Sequence, residues 1–309
     1  VGSVSRVAVM GASGCVGRQV CAAFAHAGHP VVAVSRRPAS HLAAYRFRSL
    51  DLASVPPERL ARVLDEERCD VVVNVTGGWG STPEAMRHDH IGLTGRLVRA
   101  VAAAARGPRL VHLGTIHEYG PVPDGAVIDE SVPPAPVTEY ARTKLAGSRS
   151  VLDATARGEI DGVVLRAVNL CGPYPAEPSF PGFLLRRLRA AAAGDDVLEL
   201  TVASAHRDYL DVRDAADAIR RAASTDAAVT GEVVNIGRGE AVPMRELVRM
   251  AVAAAGIPPA RVRLVAQPVD SKGGDWTLAG IRRAEQLIKW RPRIGLAASL
   301  SAMWGSEST

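Results

Sequence analysis

Apolar residues in the first half of the chain fall into short continuous runs, separated by stretches with helical spacing. Residues 5–37, "SRVAVMGASGCVGRQVCAAFAHAGHPVVAVSRR", hold an apolar strand, a glycine turn, an amphipathic helix and a second apolar strand, which predicts one βαβ unit. The alternation then continues. "CDVVVNVTG" (69–77) predicts a buried strand, "GLTGRLVRAVAAAARG" (92–107) a helix and "PRLVHLGT" (108–115) a strand; "TEYARTKLAGSRSVLDATAR" (138–157) predicts a helix and "DGVVLRAVNLCG" (161–172) another strand. Near-continuous Val/Leu strands are covered on both faces, so the expected fold class is α/β, a doubly wound parallel sheet between helical layers. After "CGPYPAEPSFPG" (171–182) proline and glycine break the rhythm. The expected organisation is a sheet domain over 1–172 and a smaller C-terminal lobe over 173–309, with roughly 206–236 ("RDYLDVRDAADAIRRA", "EVVNIG") returning to the main sheet.

Composition narrows the class. With 309 residues, 47% hydrophobic and 22% charged, the chain is globular and large enough for one big core plus a smaller lobe. Its apolar stretches are too short to span a bilayer and no signal-like segment opens it, so a soluble, cytoplasmic protein without membrane contact is expected. Cys15, Cys21, Cys69 and Cys171 include no C-x-x-C pair, so neither a metal site nor a disulfide framework is expected. The 37 basic against 32 acidic residues give a charge of +5. The arginines come in ones and twos on helical patterns, with few aromatics to stack bases, so nucleic acid is not the expected partner. A phosphate-bearing small ligand accounts for the charge equally well.

Gly11, Gly14 and Gly17, in "GASGCVG", follow a strand and open a helix. Glycine lets the backbone turn tightly and approach a pyrophosphate, whose charge the free N–H groups of the helix start attract, as in a Rossmann dinucleotide site. A free ribose 2′-hydroxyl is usually held by an acid at the end of the second strand. Here that strand ends in Ser35, Arg36 and Arg37, and no acid precedes Asp51. Two guanidiniums suit a 2′-phosphate, so the expected cofactor is NADP(H); the plainer alternative is a pair of solvated loop arginines. Further on, Tyr140 and Lys144 stand four residues apart in a predicted helix, hence on one face. By itself that spacing is also what an inconsequential surface pair would show.

Taken together, "GASGCVG", "HLGTIHEYG", "DESVPPAPVTEYARTKLAG", "LRAVNLCGP", "HRDYLDVRDAADA", "VVNIGRGEAVPMRELV" and "AEQLIKWRPRIGL" make the chain resemble the extended short-chain dehydrogenase/reductase family over nearly its whole length. Within it, the chain looks most like bacterial dTDP-4-keto-6-deoxyhexose 4-ketoreductases. The resemblance implies a catalytic trio of Thr115, Tyr140 and Lys144, with the lysine contacting the nicotinamide ribose and lowering the pKa of the tyrosine that protonates a carbonyl oxygen. It also implies that Gly11, Ser13, Gly14, Cys15, Val16, Gly17, Ser35, Arg36, Arg37, Asp51, Leu52, Asn74 and Val75 line the cofactor, and that Thr115, Ile116, His117, Asn169, Arg207 and Lys272 face the substrate. His117 is read equally well as a polar loop residue. Arg207 matches an arginine that grips the substrate pyrophosphate, the alternative being a salt bridge with Asp208 or Asp211.

Related 4,6-dehydratases carry Asp-Glu after the strand-end threonine, where this chain has Ile116 and His117, so dehydration is not expected. His90 and "VTGGW" depart from the family's usual asparagine and His-x-Ala-Ala. The implied activity is NADPH-dependent reduction of the C4 ketone of a nucleotide-activated, dTDP-linked 4-keto-6-deoxy sugar by a homodimer. Two alternatives remain: a nucleotide-sugar 4-epimerase with retained cofactor, and a catalytically silent NADP(H)-sensing regulator, since fold does not fix function.

Overall fold

The structure is a computed structural model that describes residues 4–78, 82–194, 197–225, 227–265 and 274–306. In chain order its elements are β1 (Val7–Met10), α1 (Cys15–His26), β2 (Val31–Ser35), β3 (Arg46–Ser49), α2 (Pro57–Glu66), β4 (Val71–Asn74), α3 (Pro83–Arg87), α4 (Leu93–Ala103), β5 (Arg109–Thr115) and α5 (Glu139–Ala156). There follow β6 (Gly162–Ala167), β7 (Asn169–Cys171), α6 (Phe180–Ala192), β8 (Leu198–Thr201), β9 (His206–Asp211), α7 (Val212–Ser224), β10 (Val233–Ile236), β11 (Ala241–Pro243), α8 (Met244–Ala254), β12 (Val262–Val265), α9 (Arg282–Leu287) and α10 (Leu296–Trp304).

Seven parallel strands form the central sheet in the order β10-β6-β5-β4-β1-β2-β3. β1, β2, β4 and β6 are buried along their whole length, as their unbroken apolar runs require. Val20, Cys21 and Phe24 of α1 pack with Ala215, Ile219 and Ala222 of α7 on one face. Leu60 and Leu64 of α2, Leu97 and Val101 of α4, and Val151 and Ala154 of α5 cover the other. The strand order reverses between β1 and β4, and a ligand crevice is expected at the carboxyl ends of strands flanking such a reversal.

Residues 206–236 divide between two sheets. β10 joins the central sheet beside β6, with Val233 opposite Val164. β9 instead lies between β7 and β11 in a separate three-stranded sheet. The apolar run at 161–172 therefore makes two strands rather than one: Val168 N–H still bonds Ile236 O, and the next residue already pairs with β9. An apolar pattern says that a strand is buried; it does not say where the strand changes partners. A third core gathers Leu184 and Leu188 of α6, Leu198 and Leu200 of β8, Leu247 and Val248 of α8, and Leu300 and Met303 of α10.

Candidate active site

The glycine turn is built as the spacing requires. Gly11 sits at φ +84°, in the left-handed region that favours glycine, and its N–H donates to Val34 O at 3.0 Å. A Cβ on Gly17 would overlap Gly11 O and lie 2.7 Å from Ala12 Cα, so the helix can approach the strand only without a side chain there. No side chain caps the start of α1, since Gly14 occupies the N-cap, so its first-turn N–H groups are left for an anion. At the end of β2, Ser35 Oγ donates to Arg37 O at 2.7 Å and Ser49 Oγ to Arg36 O at 2.9 Å, which fixes the backbone carrying both arginines. Both side chains are exposed, and among the described residues neither pairs with a carboxylate. This donor set fits a dinucleotide diphosphate with a further anionic group at the β2 end.

Other expected cofactor residues have local duties. Asp51 accepts Ala53 N–H and Ser54 Oγ, each at 3.1 Å, and so closes its own turn, while Leu52 is packed in the core. Asn74 is fully buried: Oδ1 accepts Thr76 N–H at 3.1 Å and Thr76 Oγ1 at 2.6 Å, while Nδ2 donates to His112 Nδ1 at 3.0 Å. Its side chain holds the turn after β4, whereas Val75 stays half-buried at the strand end.

Thr115 ends β5, its Oγ1 accepts His117 N–H at 3.4 Å, and its side chain acts to lower the pKa of the Tyr140 phenol. Thr138 caps α5 by accepting Ala141 N–H at 3.2 Å, which sets the phase that turns Tyr140 and Lys144 toward β5. Lys144 Nζ donates to Leu113 O at 2.7 Å. The His90 ring meets the Tyr140 ring edge-on, with centroids 5.5 Å apart. His90 Nε2 donates to Gly78 O at 3.0 Å, so Nδ1, 2.8 Å from Thr143 Oγ1, is the acceptor; burial holds this histidine down at about 4 and hence neutral.

Burial governs the electrostatics of this pair. Burial above all, and then the Glu118 carboxylate, push the Tyr140 phenol up to about 12, against a partial offset from the Thr115 hydrogen bond. Burial lowers Lys144 to about 8, with Glu118 opposing. In the protein alone, the cost of burying a phenolate is the largest influence on the Tyr140 phenol. The resting site holds a phenol, which is an acid.

On the substrate side, burial, and then the Arg207 guanidinium, lower His117 to about 4, opposed by a hydrogen bond with Asn169. Asn169 Nδ2 is a buried donor without an acceptor among the described residues. Arg207 donates to His206 O at 3.2 Å and to Gly274 O. The acids expected to compete for it are otherwise engaged: Asp208 accepts the N–H groups of Arg238, Gly239 and Ala279, and Asp211 pairs with Arg213. His117, Asn169 and Arg207 thus converge. Ile116 does not join them, because its side chain is 1% exposed and lies in the core. Lys272 lies outside the described residues.

Sequence reasoning passed over the polar layer beneath the site. Glu118 is fully buried against Arg166 at 2.8 Å, and His112 is buried under Asn74. Breaking such a buried pair by removing one partner costs about 3–5 kcal/mol. A charged residue inside the apolar segments "HLGTIHEYG" and "LRAVNLCG" was the available signal.

A phosphate-binding turn at the end of β1 and a Thr–Tyr–Lys cluster at the end of β5 define a dinucleotide-dependent enzyme of the short-chain dehydrogenase/reductase type. Residues 7–237 match the NAD dependent epimerase/dehydratase family, and the chain belongs to it. It is 37% identical over 308 residues to a dTDP-6-deoxy-L-talose 4-dehydrogenase (NAD(P)(+)) of Kitasatospora kifunensis, covering 99% of this chain and 96% of that protein. It is 27% identical to a UDP-glucose 4-epimerase of Azospirillum brasilense, covering 93% and 87%. The solved structure of MoeE5 in complex with UDP-glucuronic acid and NAD superposes with a TM-score of 0.82 at 27% identity, covering 97% of each chain.

Proposed function

We propose that this protein reduces the C4 ketone of a nucleotide-activated 4-keto-6-deoxyhexose, dTDP-linked by its resemblances, with NADPH as reductant. The observation that carries the reading is the meeting of Thr115 at the end of β5 with Tyr140 and Lys144 in the first turns of α5, Lys144 Nζ donating to Leu113 O at 2.7 Å. The 37% identical relative is named for oxidising a dTDP-6-deoxy sugar at C4 with NAD(P)+, which is the same hydride transfer written backwards. Arg36 and Arg37 favour the 2′-phosphate of NADPH.

The glycine turn and the start of α1 hold the cofactor diphosphate, and Lys144 holds the nicotinamide ribose. The bound nicotinamide supplies a hydride. As C4 accepts it, the carbonyl oxygen gains negative charge. Thr115 donates a hydrogen bond to that oxygen and Tyr140 transfers its proton to it, leaving an alcohol and a phenolate. His117, Asn169 and Arg207 orient the sugar and bind the substrate diphosphate. Ile116, buried where dehydratases carry an acid, leaves no acid there to expel water. The protein acts in the cytoplasm as a homodimer, its α4 and α5 faces pairing with a second copy.

The epimerase similarity supports one rival, a 4-epimerase that keeps its cofactor. Incubation with NADPH and a panel of 4-keto sugar nucleotides separates the two. Stoichiometric NADPH consumption with a 4-hydroxy product supports the reductase. Sugar interconversion without net NADPH consumption would replace it by the epimerase.

A further inference from the structure

His90 is 2% exposed, and no step above uses it. It lies in the π-helical turn His88–Gly92 that leads into α4, a wider turn of the kind often found at functional sites. Its Nε2 donates to Gly78 O at 3.0 Å in the loop after β4, and its Nδ1 accepts the hydroxyl of Thr143, on α5 between Tyr140 and Lys144, at 2.8 Å. Between these two ties the imidazole stands edge-on to the Tyr140 ring, at an interplanar angle of 82° with centroids 5.5 Å apart. We propose that His90 is a positioning residue: its ring, strung between the loop after β4 and the helix that carries Tyr140, braces the Tyr140 ring so that the phenol faces the end of β5.

The backbone on both sides is shaped to admit this ring. Gly77 sits at φ +91°, and a Cβ there would stand 2.7 Å from His90 Cδ2, so the loop closes on the imidazole only without a side chain at that position. A Cβ on Gly147 would stand 2.7 Å from His90 O, so α5 comes this near the turn only because that position too is glycine. Histidine suits the bridge because a neutral imidazole offers one donor and one acceptor on a rigid plane. Its edge presented to a second ring is also a favoured aromatic contact. The Thr138 cap sets the backbone of α5 but leaves the Tyr140 side chain its own torsions, and the contact with His90 restrains those. Misplacing a reacting group by about 1 Å costs about 10²-fold in rate, so a brace of this kind acts on turnover rather than on cofactor binding.

The inference rests on Tyr140 being the proton donor, and its test has one arm with substrate and one without. With substrate, His90→Ala should bind NADPH within about twofold of the wild type by fluorescence titration, yet transfer hydride to a 4-keto sugar nucleotide about 10–100-fold more slowly in a single turnover. His90→Gln keeps a donor and an acceptor and should recover part of that rate. A histidine that only fills the core would cost stability and leave the rate of the folded enzyme unchanged. Without substrate, the ring resonances of ¹³C-labelled tyrosine report the setting of Tyr140, whose signals are those lost in Tyr140→Phe. They should move in Thr143→Val, which keeps both rings and removes the hydroxyl that ties Nδ1, and stay near their wild-type positions in Thr143→Ser, which retains it. A wild-type rate in His90→Ala, unmoved signals in Thr143→Val, or an equal shift in Thr143→Ser would overturn the proposal. If the signals behave as expected while the wild type reduces no 4-keto sugar nucleotide, the proposed reaction falls and the brace stands. With unmoved signals in an active reductase, the reaction stands and the brace falls.

Discussion

Replacing Tyr140 by phenylalanine removes one hydroxyl and keeps the ring. A hydrogen bond made by that hydroxyl is worth about 1 kcal/mol of stability. The edge-on contact with His90 at 5.5 Å and the Thr138 cap of α5 remain, so the helix and the cofactor pocket should persist. Catalysis is affected far more. Loss of a positioned general acid lowers turnover by about 10²–10⁴-fold, equivalent to about 2.7–5.4 kcal/mol of barrier. Thr115 retains its hydroxyl as a second donor to the same oxygen, which places the expected loss toward the lower end. Two measurements test this: fluorescence titration of NADPH, expected to change little, and single-turnover hydride transfer to a 4-keto sugar nucleotide, expected to collapse. Reduction at the wild-type rate would show that the acid is misassigned and turn attention to His117, whose backbone N–H donates to Thr115 Oγ1.

Changing Arg36 and Arg37 together to alanine should raise KM for NADPH about tenfold or more and leave that for NADH nearly unchanged, because charge-assisted hydrogen bonds are worth about 1.5–3 kcal/mol; equal use of both cofactors by the wild type would refute the 2′-phosphate site. Lys144→Met should weaken cofactor binding and turnover together, and steady-state kinetics would separate the two effects. Lys144 in the cofactor-free protein titrates at about 8, below its ordinary value, so its charge is present below that pH and lost above it. NADPH affinity should therefore fall between about pH 7 and about pH 9 in the wild type but not in Lys144→Met. The same depressed pKa makes the unfolded chain the better proton binder between about 8 and 10.5, so this lysine destabilises the fold below that window and ceases to do so as pH rises through it. Sedimentation should show a dimer at micromolar concentration, and a monomer there would refute pairing through α4 and α5.

What the sequence by itself determined were the features governed by neighbours along the chain. Glycine spacing after an apolar run dictated the turn at Gly11, because only a residue without Cβ fits beside Gly11 O at position 17. Helical periodicity after the Thr138 cap put Tyr140 and Lys144 on one face. The absence of an acid between Ser35 and Asp51 was readable directly. Tertiary structure decided which distant groups meet. β5 lies beside β6, which brings Arg166 to Glu118 across 48 residues and gives the site its buried anion. The turn after β4 closes over Asn74, so that a residue expected at the cofactor directs its hydrogen bonds to Thr76 and His112. Ile116 faces the core while His117, the next residue, meets Asn169 and Arg207, whose strands pair in a small sheet that the apolar pattern did not separate from the large one. Periodicity and φ preferences are local and can be read residue by residue. The partner of a buried polar group depends on strand order and crossover, and those are settled only when the sheet assembles.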